Sequence, residues 1–126
     1  MKILGIDHIN ISGPRTLIDE CRAFYVDILG LQDGPRPPFR TPGFWLYAGD
    51  RAIVHLSEKI RETTARTDTA FDHCAMSCSG LESAKQRLQD HAVPYTLKQV
   101  PGSGDAQIFL QDPGGLTLEL NFRGGE

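Results

Sequence analysis

The chain has 126 residues, 13 Lys and Arg against 16 Asp and Glu, and a formal net charge of -3. That length suits one domain with a real core, and the slightly acidic, mixed-sign balance excludes a basic nucleic-acid surface. No apolar run approaches a membrane span and no block of like charge marks a membrane-seeking tail, so neither partner class is expected.

Near the start, Asp7 and His8 interrupt the apolar stretch that a signal peptide would need, and a cytoplasmic address is expected. Residues 3 to 12 read as a strand, with Ile9 and Ile11 on one face and His8, Asn10 and Ser12 on the other. Gly13-Pro14 ends it. Thr16 with Asp19 resembles a capping box, and Leu17, Cys21, Phe24 and Ile28 recur at helical spacing until Gly30, so a helix is expected over about 14 to 29. Gln32 to Gly43 contains four prolines, which forbid a paired central strand and predict an exposed loop carrying Arg36 and Arg40. Phe44 to Ala48 and Ala52 to Ser57 form a hairpin about Gly49-Asp50. Residues 59 to 70 are polar and Thr-rich and read as a linker.

Beyond the linker the same order returns. A strand is expected over Phe71 to Cys78, a helix over about Gly80 to His91 with Ser79 and Glu82 as a capping box, and a short strand over Tyr95 to Lys98. A final hairpin follows within Gln107 to Phe122, turning at Asp112-Pro113-Gly114-Gly115. The three cysteines, Cys21, Cys74 and Cys78, are odd in number and lie among apolar residues, so buried reduced thiols are expected rather than disulfides or a zinc site.

The recurrence is a repeat. Asp7-His8 overlays Asp72-His73 at an offset of 65, while Trp45-Leu46 overlays Phe109-Leu110 and Val54-His55-Leu56 overlays Leu118-Glu119-Leu120 at 64. The difference of one predicts a duplicated strand-helix-strand-strand-strand module with a single insertion: module one over about 1–58 and module two over about 71–126, within one α+β domain spanning 1–126. Glu119 alternates with Leu116, Leu118 and Leu120, and a carboxylate on an enclosed strand face needs a cation or donors. If the apolar sets face the helices, His8, His55, His73 and Glu119 share the concave side. Three imidazoles and a carboxylate form a ligand set for a divalent metal: Zn, Ni, Co or Mn with all four, or Fe(II) with two His and one carboxylate. His55 is alternatively a hydrogen-bond donor or proton shuttle beside the site. Asp7 and Asp72 should point to the opposite face and serve turn or edge contacts. Trp45, Tyr47, Phe109 and Gln111 share the cleft-facing parity and suit a small organic ligand, and Arg36 or Arg40 is placed to reach a carboxylate or phosphate at the mouth.

The paired modules, the DHI and DHC at their starts and FLQDPGGLTLEL near the end resemble the vicinal oxygen chelate superfamily, which includes glyoxalase I, extradiol dioxygenases, fosfomycin-resistance transferases and bleomycin-resistance proteins. The resemblance covers nearly the whole chain. It implies an incompletely closed eight-stranded barrel of two βαβββ modules with the helices outside, and a metal in the cleft that chelates vicinal oxygens. It implies His8, His73 and Glu119 as the metal triad, with His55 where glyoxalase I usually has Glu. It also implies a homodimer whose cleft draws on modules of two chains. The expected function is a glyoxalase-like lyase or isomerase using Glu119 and His55. The alternatives are an Fe(II) extradiol-type dioxygenase and a metal-free small-molecule binding or resistance protein. The chain departs from glyoxalase I in having one cleft carboxylate and no glutathione-binding arginine on its first strand.

Overall fold

The computed structural model describes residues 1–2, 4–59 and 70–125. The chain divides into two compact units, Met1–Thr64 and Ala65–Glu126, here modules one and two. All but the ends of the expected linker lies outside the described residues.

Module one runs β1 (Ile9–Gly13), α1 (Arg15–Ala23), a π-helical turn (Phe24–Ile28), β2 (Gln32–Gly34), β3 (Gly43–Ala48) and β4 (Arg51–Glu58). Its sheet has the order β1-β4-β3-β2, with β1 parallel to β4 and the other pairs antiparallel. Module two runs β5 (Cys74–Cys78), α2 (Leu81–Asp90), β6 (Thr96–Gln99), β7 (Ala106–Gln111) and β8 (Thr117–Phe122), ordered β5-β8-β7-β6 with the same directions. Each module is thus βαβββ, and its four-stranded sheet stays open, the α+β architecture that the repeat implied.

Register proves the equivalence residue by residue. Ile9 pairs with Val54 as Cys74 pairs with Leu118, and Trp45 faces His55 as Phe109 faces Glu119. The expectation of a single insertion needs correction. Gly34 opposite Trp45 corresponds to Thr96 opposite Phe109, so module two is three residues shorter between its first two strands and two longer between the next two. Length compensates on either side of an edge strand, where no neighbour on the outer side holds the register.

The cores follow the alternation. Leu118, Leu120 and Phe122 are buried on one face of β8 with Ile108 and Leu110 of β7, and Val54, Leu56 and Leu46 do the same in module one. Ile18 and Cys21 are buried along α1, as are Phe24 and Tyr25 in the π-helical turn that follows it. The wider π-helical turn lets the adjacent Phe24 and Tyr25 both turn inward, which a regular helix would disfavour. Gly30, with φ +80, ends the segment as expected of a left-handed stop.

Several local expectations fail for physical reasons. The strand expected from residue 3 begins at Ile9, and the one expected from Phe71 begins at Cys74, so His8 and His73 each precede the first paired residue. Neither capping box forms. Pro14 and Gly80 are the N-caps and neither helix has a side-chain cap bond; Asp19 instead accepts from Arg15 Nε at 2.9 Å, and Glu82 pairs with Lys85 at 2.8 Å. Charged partners one turn away compete successfully with backbone N–H groups that water can also serve. The Pro-rich segment does contribute a strand, the edge strand β2, which stops just before Pro35. Cys21 is buried, but Cys74 and Cys78 are only half-buried, and none of the three is in a disulfide.

The turn that joins β7 to β8 is held by Asp112, whose Oδ1 accepts from the N–H groups of Gly114 and Leu116, each at 2.9 Å. Asp112 is 5% exposed. Asp112→Ala leaves the two backbone donors without that acceptor and is expected to cost about 1 kcal/mol by urea unfolding. Asp112→Asn, which keeps the Oδ1 acceptor, should restore most of it.

Candidate metal and ligand site

Strand pairing sets the site chemistry in both modules. Glu119 on β8 lies opposite Ala75 on β5, and His73, two residues before Ala75, shares its face. The carboxylate and the imidazole therefore meet: His73 Nε2 lies 3.0 Å from Glu119 Oε2. The other oxygen, Oε1, accepts from Gln107 Nε2 at 2.7 Å and Asn121 Nδ2 at 2.5 Å. Glu119 is 5% exposed, so these donors offset the hydration it has lost.

On the far side of the ring, His73 Nδ1 lies 2.6 Å from Asp72 Oδ2. The same contact recurs between His8 Nδ1 and Asp7 Oδ2 at 2.6 Å. Both aspartates, expected on the opposite face, instead serve the histidines that follow them. Because Asp7 and Asp72 lie a further residue outside the ladders than His8 and His73, alternation no longer holds them on the opposite face. An acceptor at Nδ1 places the hydrogen there and turns the Nε2 lone pair outward, the tautomer that a metal ligand needs. Asp7 and Asp72 are open to solvent, so these bonds orient rings more than they stabilise the fold.

In module one, His55 lies opposite Asn10, and His8, two residues before Asn10, shares its face. The two imidazoles stack with centroids 3.7 Å apart and planes 15° from parallel, and Trp45 stacks on the other side of His55 at 4.2 Å. His55 Nε2 lies 3.1 Å from the Ala52 carbonyl, which leaves Nδ1 as the basic nitrogen.

Electrostatics separates the histidines. The Asp72 hydrogen bond, aided by Glu119, raises the His73 pKa above the ordinary 6.5, whereas burial, with His8 nearby, lowers that of His55. The His8 contact lowers the Asp7 carboxyl. A raised imidazole pKa stabilises the fold below the ordinary value, and that contribution is lost as pH rises through the folded value. A lowered one stabilises above the ordinary value and is lost as pH falls through the folded value. Imidazole NMR should therefore place the His73 midpoint above 6.5 and that of His55 below it. Asp72→Asn should lower the His73 midpoint more than Glu119→Gln does; the reverse order would contradict the hydrogen bond as the larger cause.

Among the described residues, no group of three or more His, Cys, Asp and Glu side chains is gathered to hold a metal ion. The donors come in pairs. The His73 and Glu119 pair nonetheless has the right chemistry for a cation: two lone pairs 3.0 Å apart, on groups whose other atoms are already engaged. A proton on Nε2 makes an ion pair there, and a divalent metal takes the same two lone pairs.

Module one also contains a pocket of about 500 Å³, lined by His8, Asn10, Arg36, Phe39, Trp45, His55, Ser57 and Lys59 among others. Trp45 thus faces a ligand-sized space. Arg40 is exposed and does not line it; Arg36, four residues earlier, does. Tyr47 donates its hydroxyl to the Pro35 carbonyl at 2.6 Å, anchoring the loop outside the pocket lining. In module two, Phe109 meets His73 edge-on at 6.1 Å, while Gln111 is exposed at the end of β7. Asp7, Asp72, Gln107 and Asn121 are the residues that sequence reasoning missed. Only the last two carried a signal: Asn121 shares the parity of Glu119, and Gln107 pairs with Asn121 across the hairpin.

No protein-family model matches the sequence, and no curated protein is significantly similar to it. Solved structures do match. A glyoxylase/bleomycin resistance protein/dioxygenase domain from Frankia superposes with a TM-score of 0.77 at 18% identity, covering 97% of this chain and 99% of that one. Lactoylglutathione lyase from Agrobacterium tumefaciens gives 0.64 at 16% identity over 97% and 96% of the two chains. An antibiotic-binding protein from Streptomyces gives 0.67 at 18%, covering 98% of each. At these identities the likeness is one of fold.

Proposed function

Because the chain has the fold of the vicinal oxygen chelate superfamily, we propose that it is a divalent-metal-dependent enzyme of glyoxalase-like lyase or isomerase type, acting on a small molecule with vicinal oxygens. The ligands we assign are His73 and Glu119 of module two with His8 and His55 of module one, in a homodimer that makes both modules available. The observation that carries the proposal is the His73 and Glu119 pair, in which Nε2 and Oε2 lie 3.0 Å apart.

When bound, the metal supplies Lewis-acid polarisation of adjacent substrate oxygens and acidifies coordinated water. The chain's own groups do the rest. Asp72 keeps the hydrogen of His73 on Nδ1, and Gln107 and Asn121 fix Glu119 through Oε1. Oε2 is left as the basic oxygen that takes a proton from the carbon next to the substrate carbonyl and returns it to the neighbouring carbon. His55, whose Nε2 is engaged by the Ala52 carbonyl, would ligate through Nδ1, the atom that carries its lone pair.

A metal-free binding protein is the second reading, favoured by the pairing of donors in twos and by a ligand-sized pocket within one module. Elemental analysis of protein purified without a His tag decides between them. Near-stoichiometric metal supports the enzyme, and its absence after incubation with Zn, Ni, Mn, Co or Fe(II) leaves the binder. With metal present, loss of hemithioacetals under Ni or Zn supports the isomerase, whereas oxygen uptake with catechols under Fe(II) would replace it with a dioxygenase.

A further inference from the structure

We infer that the pocket of module one is built for a small organic anion, its oxyanion held by Arg36 and its apolar body packed against Phe39 and Trp45. The inference rests on the reading of the protein as one that takes a small molecule, but it makes no use of the metal.

Arg36 carries the argument. Its Nη2 donates to the Thr41 carbonyl at 2.8 Å and its guanidinium lies over the Phe39 ring at 5.0 Å. Its Nε is the one buried side-chain polar atom without a partner among the described residues. That atom is shielded from solvent, so Arg36 meets an oxyanion through the other N–H groups of its guanidinium, which suit the two oxygens of a carboxylate or phosphate. The rest of the lining is also donor-rich. Lys59 brings a second positive charge, and Asn10 accepts from Ser57 Oγ at 3.1 Å through Oδ1, which leaves its amide hydrogens as donors. The one carboxylate of the lining, Asp7, is engaged by His8.

An apolar body has its own place. Phe39 is 55% exposed, a large aromatic side chain uncovered beside the pocket, and Trp45 stands 6.3 Å from it. Pro35, Pro37, Pro38 and Pro42 stiffen the loop that presents Arg36 and Phe39, so little conformational entropy is lost when a ligand engages them. The volume of about 500 Å³ falls within the range of small-molecule sites.

Trp45 is the sole tryptophan, so its fluorescence reports on the pocket directly. Chelator-treated protein is titrated with benzoate, phenyl phosphate and neutral benzyl alcohol. Saturable responses to an anion that weaken with added salt, and none to benzyl alcohol, are expected. The benzoate and phenyl phosphate arms tell which oxyanion is preferred. Arg36→Gln should weaken the favoured anion by about tenfold or more, and Arg36→Lys by less, since it keeps the charge but not the fork. Equal response to benzyl alcohol, no saturable response to either anion, or unchanged affinity in Arg36→Gln would each overturn the inference. If that variant does not fold, the neutral analogue and the salt dependence of the unmodified protein still decide. With metal absent throughout, failure here leaves the metal proposal standing, and an empty metal analysis leaves this one.

Discussion

Glu119→Gln is expected to abolish metal loading while leaving the fold in place. The substituted amide keeps an oxygen for Gln107 and Asn121, so the two donors that now reach Oε1 remain satisfied. Its NH2 takes the position of Oε2 and donates to Nε2 of His73, which holds its own hydrogen on the Asp72 side. The variant therefore removes one proposed ligand and the negative charge, and it also occupies the lone pair of a second proposed ligand. Loss of an outer partner of a metal ligand costs 10- to 100-fold in affinity, so losing a ligand directly should exceed about 100-fold. Equilibrium dialysis with Zn reads this, and circular dichroism should show an unchanged fold. Metal binding equal to that of the unmodified protein would remove Glu119 from the centre. Glu119→Leu should behave differently: it strands Gln107 and Asn121 against an apolar group and costs about 1 to 3 kcal/mol of stability as well.

The largest loss of stability from a single methyl group is expected at Gly43, the first residue of β3. Gly43 pairs with Ser57, and a Cβ there would lie 2.0 Å from the carbonyl oxygen of Leu56 and 3.1 Å from Arg36 Nη2. The first of these is a backbone atom of the adjacent strand, so no side-chain rotation relieves the clash. β3 must move from β4, straining the bond from Glu58 N–H to the Pro42 carbonyl, 2.8 Å long. Gly43→Ala is expected to cost about 3 kcal/mol, roughly 10 °C in melting temperature. Gly49→Ala is a useful contrast. Its φ is +61 but nothing lies near its Cβ, so the cost is only that of a left-handed backbone, about 1 kcal/mol. Equal effects at the two positions would contradict the close approach at Gly43.

Much of this molecule was legible from the chain alone. The duplication was readable because the two modules must repeat the same alternation to bury the same faces, and Leu118 and Leu120 repeat Val54 and Leu56. The pairing of His55 with Glu119 as equivalents followed from that offset, and the strand registers carry it. Parity also put His8, His55, His73 and Glu119 on the face opposite the apolar set, since a period of two is enforced wherever one face is buried, and the strand pairing then set His8 beside His55 and His73 beside Glu119.

What parity does not reach is the chain outside the ladders. Asp7 and Asp72 engage their histidines because both residues precede the first paired position, where side chains are no longer forced to alternate. The difference between Arg36 and Arg40 depends on how four prolines bend one loop, and no periodic signal describes that path. The tautomers of His55 and His73 likewise depend on which acceptor each ring nitrogen meets, the Ala52 carbonyl or the Asp72 carboxylate. Sequence by itself determined the repeated module and which residues share a strand face, because burial imposes a period that the order of apolar and polar residues reveals; the registers came from the structure. Tertiary structure alone decided which donors and acceptors meet, because hydrogen bonds at strand ends and in loops are set by local geometry and competition with water.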